Sequence, residues 1–500
     1  MINTIDSHIE NISKKNQITC ILSKPGSGTS GFINDFNLSL CLNEDEKPLI
    51  TTIGFFSNNE TYLHNFINED NNKKFVKSYN IGKDESSWSI NFFDILLGSD
   101  KPTSTEKTFI SSVLLSIYEL DCEDGSKQLE LLVDNIIDNI YSKKKYYTKG
   151  EDNFIDNSLS YCNFYGNKLS WKSMRNIFIE NNLTDLAYYA HKKSMPLIDD
   201  VIEYLDGIPE NLKEAISERS LKSFRKSLNN LKLIAPFLNK TTNIDICDNE
   251  LLSNFNLGLL NIHNTNVDSL IYLIFLLHSC KKASMNKIIH ENSYMKKESY
   301  LLIKNKIKEA GKRKKRILID NIEMLDNKIL VKIENILKES NLNVEIVICS
   351  MSISSFRVIG NIASSIYVFG TFGKTEKEKL MNSFPISNES SELLLSRCLK
   401  NFHRDMNGVM NQEYIALFRR DNKIEEHVCV RKINTVSFWE TSASLKDLLL
   451  LKNLRKIFTE DKTRELLFKL YPEGFMDSHI PERKIKRVTN NIIKEIIDSK

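Results

Sequence analysis

The sequence predicts an α/β protein in which a doubly wound, mostly parallel sheet is interrupted by a large all-α insertion. A short apolar strand at residues 18–22 leads through a glycine-containing turn into a helical pattern at residues 32–42. Apolar strands and helices alternate again from residue 316 to residue 369, as in buried parallel sheets. Between these regions, residues 105–234 show helical periodicity almost throughout. We therefore expect one α/β core whose two parts flank the insertion.

The first half of the chain supplies the start of this core and the insertion. Residues 48–56 predict a second strand, and residues 88–97 are apolar and partly extended. Within the insertion, helical periodicity predicts helices at 109–120, 129–141, 171–180, 185–191 and 211–233. Strand-like segments at 243–247 and 257–262 precede a helix at 267–290.

The second half completes the core. The predicted elements are a strand at 316–320, a helix at 327–339, strands at 344–349 and 365–369, a hairpin of 413–419 with 426–432, an amphipathic segment at 445–458 and a basic C-terminal helix. The predicted divisions are 1–104 (first part of the core), 105–234 (insertion), 235–440 (rest of the core) and 441–500 (helical segment).

Composition narrows the function classes. The chain has 500 residues, enough for roughly two to four domains. Its formal net charge is +3, so no strong signal for nucleic acid arises. Nine cysteines are dispersed without a CxxC pair, which favours reduced thiols rather than disulfides or zinc. The N-terminus lacks the apolar core of a signal peptide, and residues 267–280 are too short and polar for a membrane span. We therefore expect a cytoplasmic protein.

The turn after the first strand resembles a degenerate phosphate loop. A P-loop reads G-x-x-x-x-G-K-[ST] between a strand and a helix, and its backbone amides hold phosphates. Here residues 23–30 read SKPGSGTS, so Ser23 replaces the first glycine and Thr29 replaces the lysine. The residues expected to contact nucleotide are Pro25, Gly26, Ser27, Gly28, Thr29 and Ser30. A PGSG turn before a helix is also a common loop, so both interpretations stay open.

A second candidate functional group is the acid at the end of the strand at residues 316–320. Asp320 would bind Mg²⁺ together with the hydroxyl of Ser30. The next residue is normally the glutamate that activates the attacking water, but here it is Asn321, which cannot accept a proton. Glu323 lies nearby, two positions further on, and is expected to point elsewhere. Lys24 is a conceivable substitute cation, although a solvated turn lysine is the simpler interpretation.

Several segments together resemble the ATPase half of the IcmB/DotO–TraU proteins, the cytoplasmic motor ATPases of type IVB secretion and conjugation systems in bacteria. They occur in family order: PGSGTSGFINDFNLSLCL, SWSINFFDILLGSDKPTSTEK, LSWKSMRNIF, AHKKSMPLIDD, KRILIDN, ICSMSISSF, SFWETSASLKDLLLLKNL and YPEGF. The last two resemble the C-terminal tryptophan segment and a late P-x-G. The resemblance covers nearly the whole chain and implies a RecA-like P-loop core, with a family N-terminal half that this sequence lacks.

The sequence departs from the family pattern at positions whose side chains take part in phosphate binding or hydrolysis in the family. Thr29 stands for the loop lysine, Asn321 for the Walker B glutamate, Met351 for the sensor glutamine, and Lys192 roughly for a family arginine. The kept scaffold positions are Asp94, Gly98, Pro102, Pro196, Trp439 and Asp447. We therefore expect no intact catalytic set.

The resemblance implies binding of ATP or ADP with Mg²⁺, and three functions follow from it. In the first, the chain is a non-hydrolysing subunit that assembles with secretion-system ATPases or inner-membrane components, or with further copies of itself in a ring. Alternatively, it is a slow ATPase using Lys24 and another acid, or an interaction module without nucleotide. The implied place is the cytoplasm, at the inner face of the bacterial inner membrane.

Overall fold

The protein is mixed α/β with a mostly parallel central sheet, which confirms the predicted fold class at that level. The computed structural model describes residues 17–23, 32–33, 49–54, 76–81, 88–120, 127–210, 216–244, 252–257, 265–284, 288–289, 291, 315–339, 344–370, 372–383, 387, 392, 403–404, 410–420, 423–433, 445–470, 487, 489–492 and 494.

The described elements follow one another along the chain in this order: β1 Gln17–Ser23, β2 Leu49–Gly54, β3 Val76–Asn80, α1 Ser104–Glu119, α2 Lys127–Ser142, β4 Tyr146–Thr148, α3 Asn153–Tyr161, β5 Lys168–Ser170, α4 Trp171–Glu180, α5 Thr184–Ser194, α6 Ile198–Asp206, α7 Glu218–Ile234, β6 Leu252–Asn256, α8 Thr265–Ala283, β7 Lys315–Asp320, α9 Asn327–Glu339, β8 Glu345–Ser350, α10 Ile353–Gly360, β9 Ser365–Phe369, α11 Lys374–Ser383, β10 His403–Arg404, β11 Met410–Arg420, β12 Lys423–Ile433, α12 Leu445–Arg455 and α13 Glu460–Leu470. Short 3₁₀ helices lie at Pro236–Asn239 and Ile322–Met324.

The chain divides into two compact units. The first unit comprises residues 1–77, 318–323 and 334–500, and the second comprises residues 78–317 and 324–333. None of the helices in the described part of the chain combines the length and the apolar content that a membrane crossing requires.

The first unit is organised around β1. This strand pairs in parallel with β8 on one side and β9 on the other, so Cys20 lies opposite both Ile348 and Ile366. Beyond β9 the sheet turns antiparallel through β11 to β12, with β10 beside β11. Beyond β8 lie β7 and then β2. β1, β8 and β9 are continuous apolar runs because buried parallel strands are covered on both faces.

An aromatic cluster packs on one face of this sheet. Phe32 lies 5.2 Å from Tyr367, 4.8 Å from Phe369 and 5.5 Å from Tyr414, measured between ring centroids. The guanidinium of Arg431 sits over the Phe32 ring at 5.9 Å. The residues that follow the predicted phosphate loop are therefore anchored to β9 and β11.

The second unit is mainly helical, but two short strands lie inside the segment predicted to be all-α. β4 pairs antiparallel with β5, and Tyr147 on β4 points inward to a ring contact of 5.3 Å with Trp171. Each strand has three residues, too few to show a period of two in the sequence. β6 also differs from expectation, because it lies between the predicted strands 243–247 and 257–262. Its polar residues Ser253 and Asn256 are buried, so the sequence lacks the apolar pattern by which a buried strand is predicted.

Residues 88–100, termed the buried segment, run through the second unit without regular secondary structure. Helix side chains satisfy their backbone groups. Tyr141 donates to the carbonyl of Phe93, His191 Nε2 donates to that of Ile95 at 2.8 Å, and Arg175 Nη1 donates to that of Ser99 at 3.0 Å. Buried backbone groups need such partners, and here α2, α4 and α5 supply them. Gly98 within it has φ 90°, a conformation that glycine adopts without strain.

Charged groups beside the buried segment have strongly shifted pKa values. Burial, with the nearby Arg175 guanidinium, lowers the pKa of His191 to about 3, so its ring is neutral and Nδ1 accepts from Arg175. Burial raises the pKa of Asp94, although Thr242 and Lys281 oppose the shift. The Asp94 atom Oδ1 has no hydrogen-bond partner among the described residues. The second unit thus holds ionisable groups that are shielded from solvent by burial.

Glu106 of α1 provides the most direct test of how the buried segment is held. Its carboxylate is 1% exposed and accepts from Leu96 N at 2.8 Å and from Thr103 N at 2.9 Å. We expect Glu106→Ala to destabilise the chain by about 2–4 kcal/mol, because two buried donors lose their acceptor. The exposed Glu130→Ala control should change stability by less than about 0.5 kcal/mol. Equal midpoints of urea unfolding for both variants would contradict this account of the buried segment.

Candidate functional site

The ends of the parallel strands meet at one edge of the sheet in the first unit. Leu22 lies opposite Ser350, and Ser23 lies opposite Phe369. Ser23 and Ser350 are both buried, at 6% and 2% exposure. Ligands of open α/β sheets bind at the carboxyl ends of strands, so this edge is the first place to look for a site.

The predicted phosphate loop occupies the position that follows β1. Pro25, Gly26, Ser27, Gly28, Thr29 and Ser30, together with Lys24, lie outside the described residues. The flanks are described: β1 ends at Ser23, and residues 32–33 are helical and buried. The order of strand and then helix around the loop is therefore present.

The predicted Mg²⁺ ligand Asp320 lies at the end of β7, which neighbours β8 in the sheet. Asp320 is the last residue of β7 and is 8% exposed. The pKa of the Cys349 thiol on β8 is raised well above its usual value, first by burial and then by the Asp320 carboxylate. Asp320 thus brings a negative charge close to the end of the strand between β7 and β1.

Asn321 follows Asp320 in the left-handed backbone region, with φ 56°. Asparagine is one of the few non-glycine residues that adopt this conformation readily. The 3₁₀ helix Ile322–Met324 begins at the next residue. At this position Asn321 serves the sharp change of chain direction, and its neutral amide cannot act as a general base.

Glu323 is directed to the end of β8. Its Oε2 atom accepts a hydrogen bond from Ser350 Oγ at 3.2 Å and another from Met351 N at 3.2 Å. This contact joins the turn after β7 to the turn after β8. This contact could not be predicted from the sequence, because nothing in the local pattern links residues 27 positions apart.

Met351, which the resemblance places at the sensor position in place of a glutamine, is 44% exposed. A thioether is at most a weak hydrogen-bond acceptor and cannot donate to a phosphate or orient a water as an amide does. The first unit therefore holds Ser23, Asp320, Asn321 and Met351 within one set of strands, while Lys192 belongs to the second unit.

The scaffold positions are distributed over both units. Asp94 and Gly98 lie in the buried segment, and the carbonyl of Pro196 accepts a 2.8 Å hydrogen bond from the Asn91 amide of that segment. The Lys192 charge makes a minor contribution to lowering the pKa of both Asp94 and His278, whose pKa shifts are dominated by burial. Asp447 lies in α12, and Trp439 lies outside the described residues.

Asp320 is a buried carboxylate at the strand ends and a candidate ligand for a metal ion. The part of the chain that the structure describes contains no group of three His, Cys, Asp or Glu side chains able to hold a metal ion. Mg²⁺ in phosphate sites needs only one or two protein ligands, because phosphates and waters complete its octahedron. A single buried carboxylate such as Asp320 is consistent with that mode.

Comparison of the chain with protein-family models and with curated proteins gives no match. A functional assignment therefore depends on the residues and strand order of the chain itself.

The left-handed conformation of Asn321 can be tested with two truncations. Both Asn321→Gly and Asn321→Ala remove the side-chain amide. The difference between their free energies of unfolding therefore reports the cost of a positive φ for a residue that has a Cβ atom. We expect Asn321→Ala to be less stable than Asn321→Gly by about 1 kcal/mol, since only glycine occupies this region without strain. Urea unfolding at constant pH measures the difference. An alanine variant as stable as the glycine variant would show that the turn does not require a positive φ.

Proposed function

We propose that the chain is a nucleotide-binding but poorly hydrolysing subunit with a RecA-like P-loop core. The observation that carries this proposal is the place of Asp320, a buried acid at the end of β7, separated from the loop-bearing β1 by β8 alone. An acid at that point lies where the Mg²⁺ of a nucleotide held at the end of β1 would need a ligand.

The strand order supports the RecA-like assignment. From β9 the sheet runs β9, β1, β8, β7 and β2. A RecA-like core places the sensor strand between the phosphate-loop strand and the Walker B strand. In this proposal β8 is the sensor strand, since its last three residues begin the ICSMSISSF segment that resembles the sensor of the IcmB/DotO–TraU family.

In this proposal the chain holds ATP or ADP through main-chain and side-chain groups at one sheet edge. The backbone N–H groups of residues 26–30 bind phosphate in this proposal, because Pro25 has no N–H to donate, and Ser30 and Asp320 are the protein groups that would hold Mg²⁺. The metal would neutralise phosphate charge when bound. Binding of nucleotide to the folded state alone stabilises that state by mass action, without turnover.

Weak hydrolysis follows from what stands beside Asp320. Asn321 cannot accept a proton, and Glu323 is already engaged by Ser350 and Met351. Loss of a general base alone costs roughly 10²–10⁴-fold in rate. Thr29 also replaces the lysine that stabilises developing charge on the phosphates.

The family resemblance supplies the cellular role of the proposal. The chain would act as a cytoplasmic subunit of a type IVB secretion or conjugation apparatus, beside its ATPase subunits at the inner membrane. Nucleotide occupancy would then stabilise a subunit interface instead of driving movement.

ATP turnover by the purified chain with Mg²⁺ tests the proposal. We expect the wild type to show little hydrolysis and Thr29→Lys/Asn321→Glu to gain activity, because the two changes restore a cation and a base. Asp320→Asn in that double variant should remove the gain. Lys24→Ala in the wild type should have no effect.

Wild-type turnover at rates typical of motor ATPases would contradict the proposal. If that activity depended on Lys24, the slow-ATPase alternative with an unconventional site would replace it.

A further inference from the structure

β12 forms a long outer strand of the first unit. It pairs with β11 over its full length, from Lys423 opposite Arg420 to Ile433 opposite Met410. The opposite side of β11 is occupied by β9 and β10. Among the described residues β12 has no second strand partner. Long strand edges attract another strand unless charges, bulges or a cover protect them.

The two faces of β12 differ in burial. Cys429 and Arg431 are buried, at 8% and 6% exposure, and face the aromatic cluster. Val428 and Val430 point to the other face and are 50% and 57% exposed. Glu426 and Lys432 flank these valines on the same face, because side chains alternate along a strand. We term Glu426, Val428, Val430 and Lys432 the outer row.

The outer rows of two β12 strands match each other in apolar and charged residues when the strands run antiparallel. In an antiparallel pair of two β12 strands centred on Cys429, Val428 lies opposite Val430 of the second copy. Glu426 then lies opposite Lys432 of the second copy, and the two-fold symmetry repeats both contacts. A two-fold axis perpendicular to the sheet keeps each row on the same face, as a closed isologous contact requires.

We propose that β12 is the interface of a symmetric dimer, with a second copy of this chain as its occupant. Cross-strand valine contacts and opposite-charge contacts each change an association constant by about 1.4-fold to 5-fold. Backbone hydrogen bonds between the two β12 strands would further stabilise the dimer, as they do where a peptide strand adds to a sheet edge. Glu426 also accepts hydrogen bonds from Ser387 N and Oγ, and a carboxylate has capacity for further donors.

Sedimentation equilibrium of the full chain with charge-swapped variants tests the proposal. Glu426→Lys alone and Lys432→Glu alone should each raise the dimer Kd about threefold to tenfold, because two like-charge contacts form. The double variant Glu426→Lys/Lys432→Glu should return the Kd to within about twofold of the wild type. Val331→Lys, at an exposed valine in α9, is the matched control and should leave the Kd unchanged.

Disulfide trapping tests the register independently of the charge swaps. A mixture of Val428→Cys and Val430→Cys chains should cross-link more than either chain alone, since these positions face each other. Circular dichroism checks that each variant is folded. A wild-type chain that stays monomeric up to about 100 μM, where weak interfaces are populated, would overturn the proposal. Equal cross-linking in all mixtures, or no rescue by the double swap, would overturn it as well.

Discussion

Strand β1 lies between β8 and β9, and every candidate chemical position in the first unit depends on where this strand ends. Cys20, Ile21 and Leu22 are fully buried, so a slip of the register would move apolar side chains out of the core. The observed register brings Ser23 beside Phe369 and Leu22 beside Ser350. The loop that follows β1 therefore starts at a defined point on the sheet edge. That point lies beside the end of β8, which Met351 follows, and one strand further from β7, which ends at Asp320.

In the proposed function, the groups at this edge separate the binding of a metal–phosphate complex from the activation of water. Asp320 keeps a buried negative charge suitable for a metal–phosphate complex. Asn321, in contrast, meets the demand of a left-handed turn, and Glu323 ties the turn after β7 to the turn after β8. Two of the positions that could activate water thus have structural tasks here. In the proposed function Asp320 would hold the metal ion, while its neighbours leave no group to activate water.

The sequence predicted the late α/β elements closely because each is a continuous apolar run or a strong helical period. α9 and β9 have the predicted bounds, β8 is shifted by one residue, and α4 of the insertion also has its predicted bounds. The buried segment shows why other features were missed. Its backbone is satisfied by Tyr141, Arg175 and His191, whose positions along the chain give no sign of a common target. Such bonds depend on tertiary packing, which local periodicity does not encode.

The same limit applies to the candidate site and to β12. Asp320 was identified because a strand ending in an acid is a local signal, whereas the Glu323–Ser350 contact joins two separate strands. The hairpin of β11 and β12 was predicted, but its exposed outer row required the burial of each face to be known. Local pattern indicates which residues carry chemistry, and packing decides which of them meet.

Direct titration of the full chain with Mg²⁺–ATP and Mg²⁺–ADP by calorimetry tests the central claim most directly. The account predicts saturable binding at one site per chain, weakened about tenfold by Asp320→Asn when Mg²⁺ is present and little changed when Mg²⁺ is removed. No binding of either nucleotide, or binding indifferent to Asp320 in the presence of Mg²⁺, would contradict it. Complete absence of binding would favour the alternative of an interaction module without nucleotide.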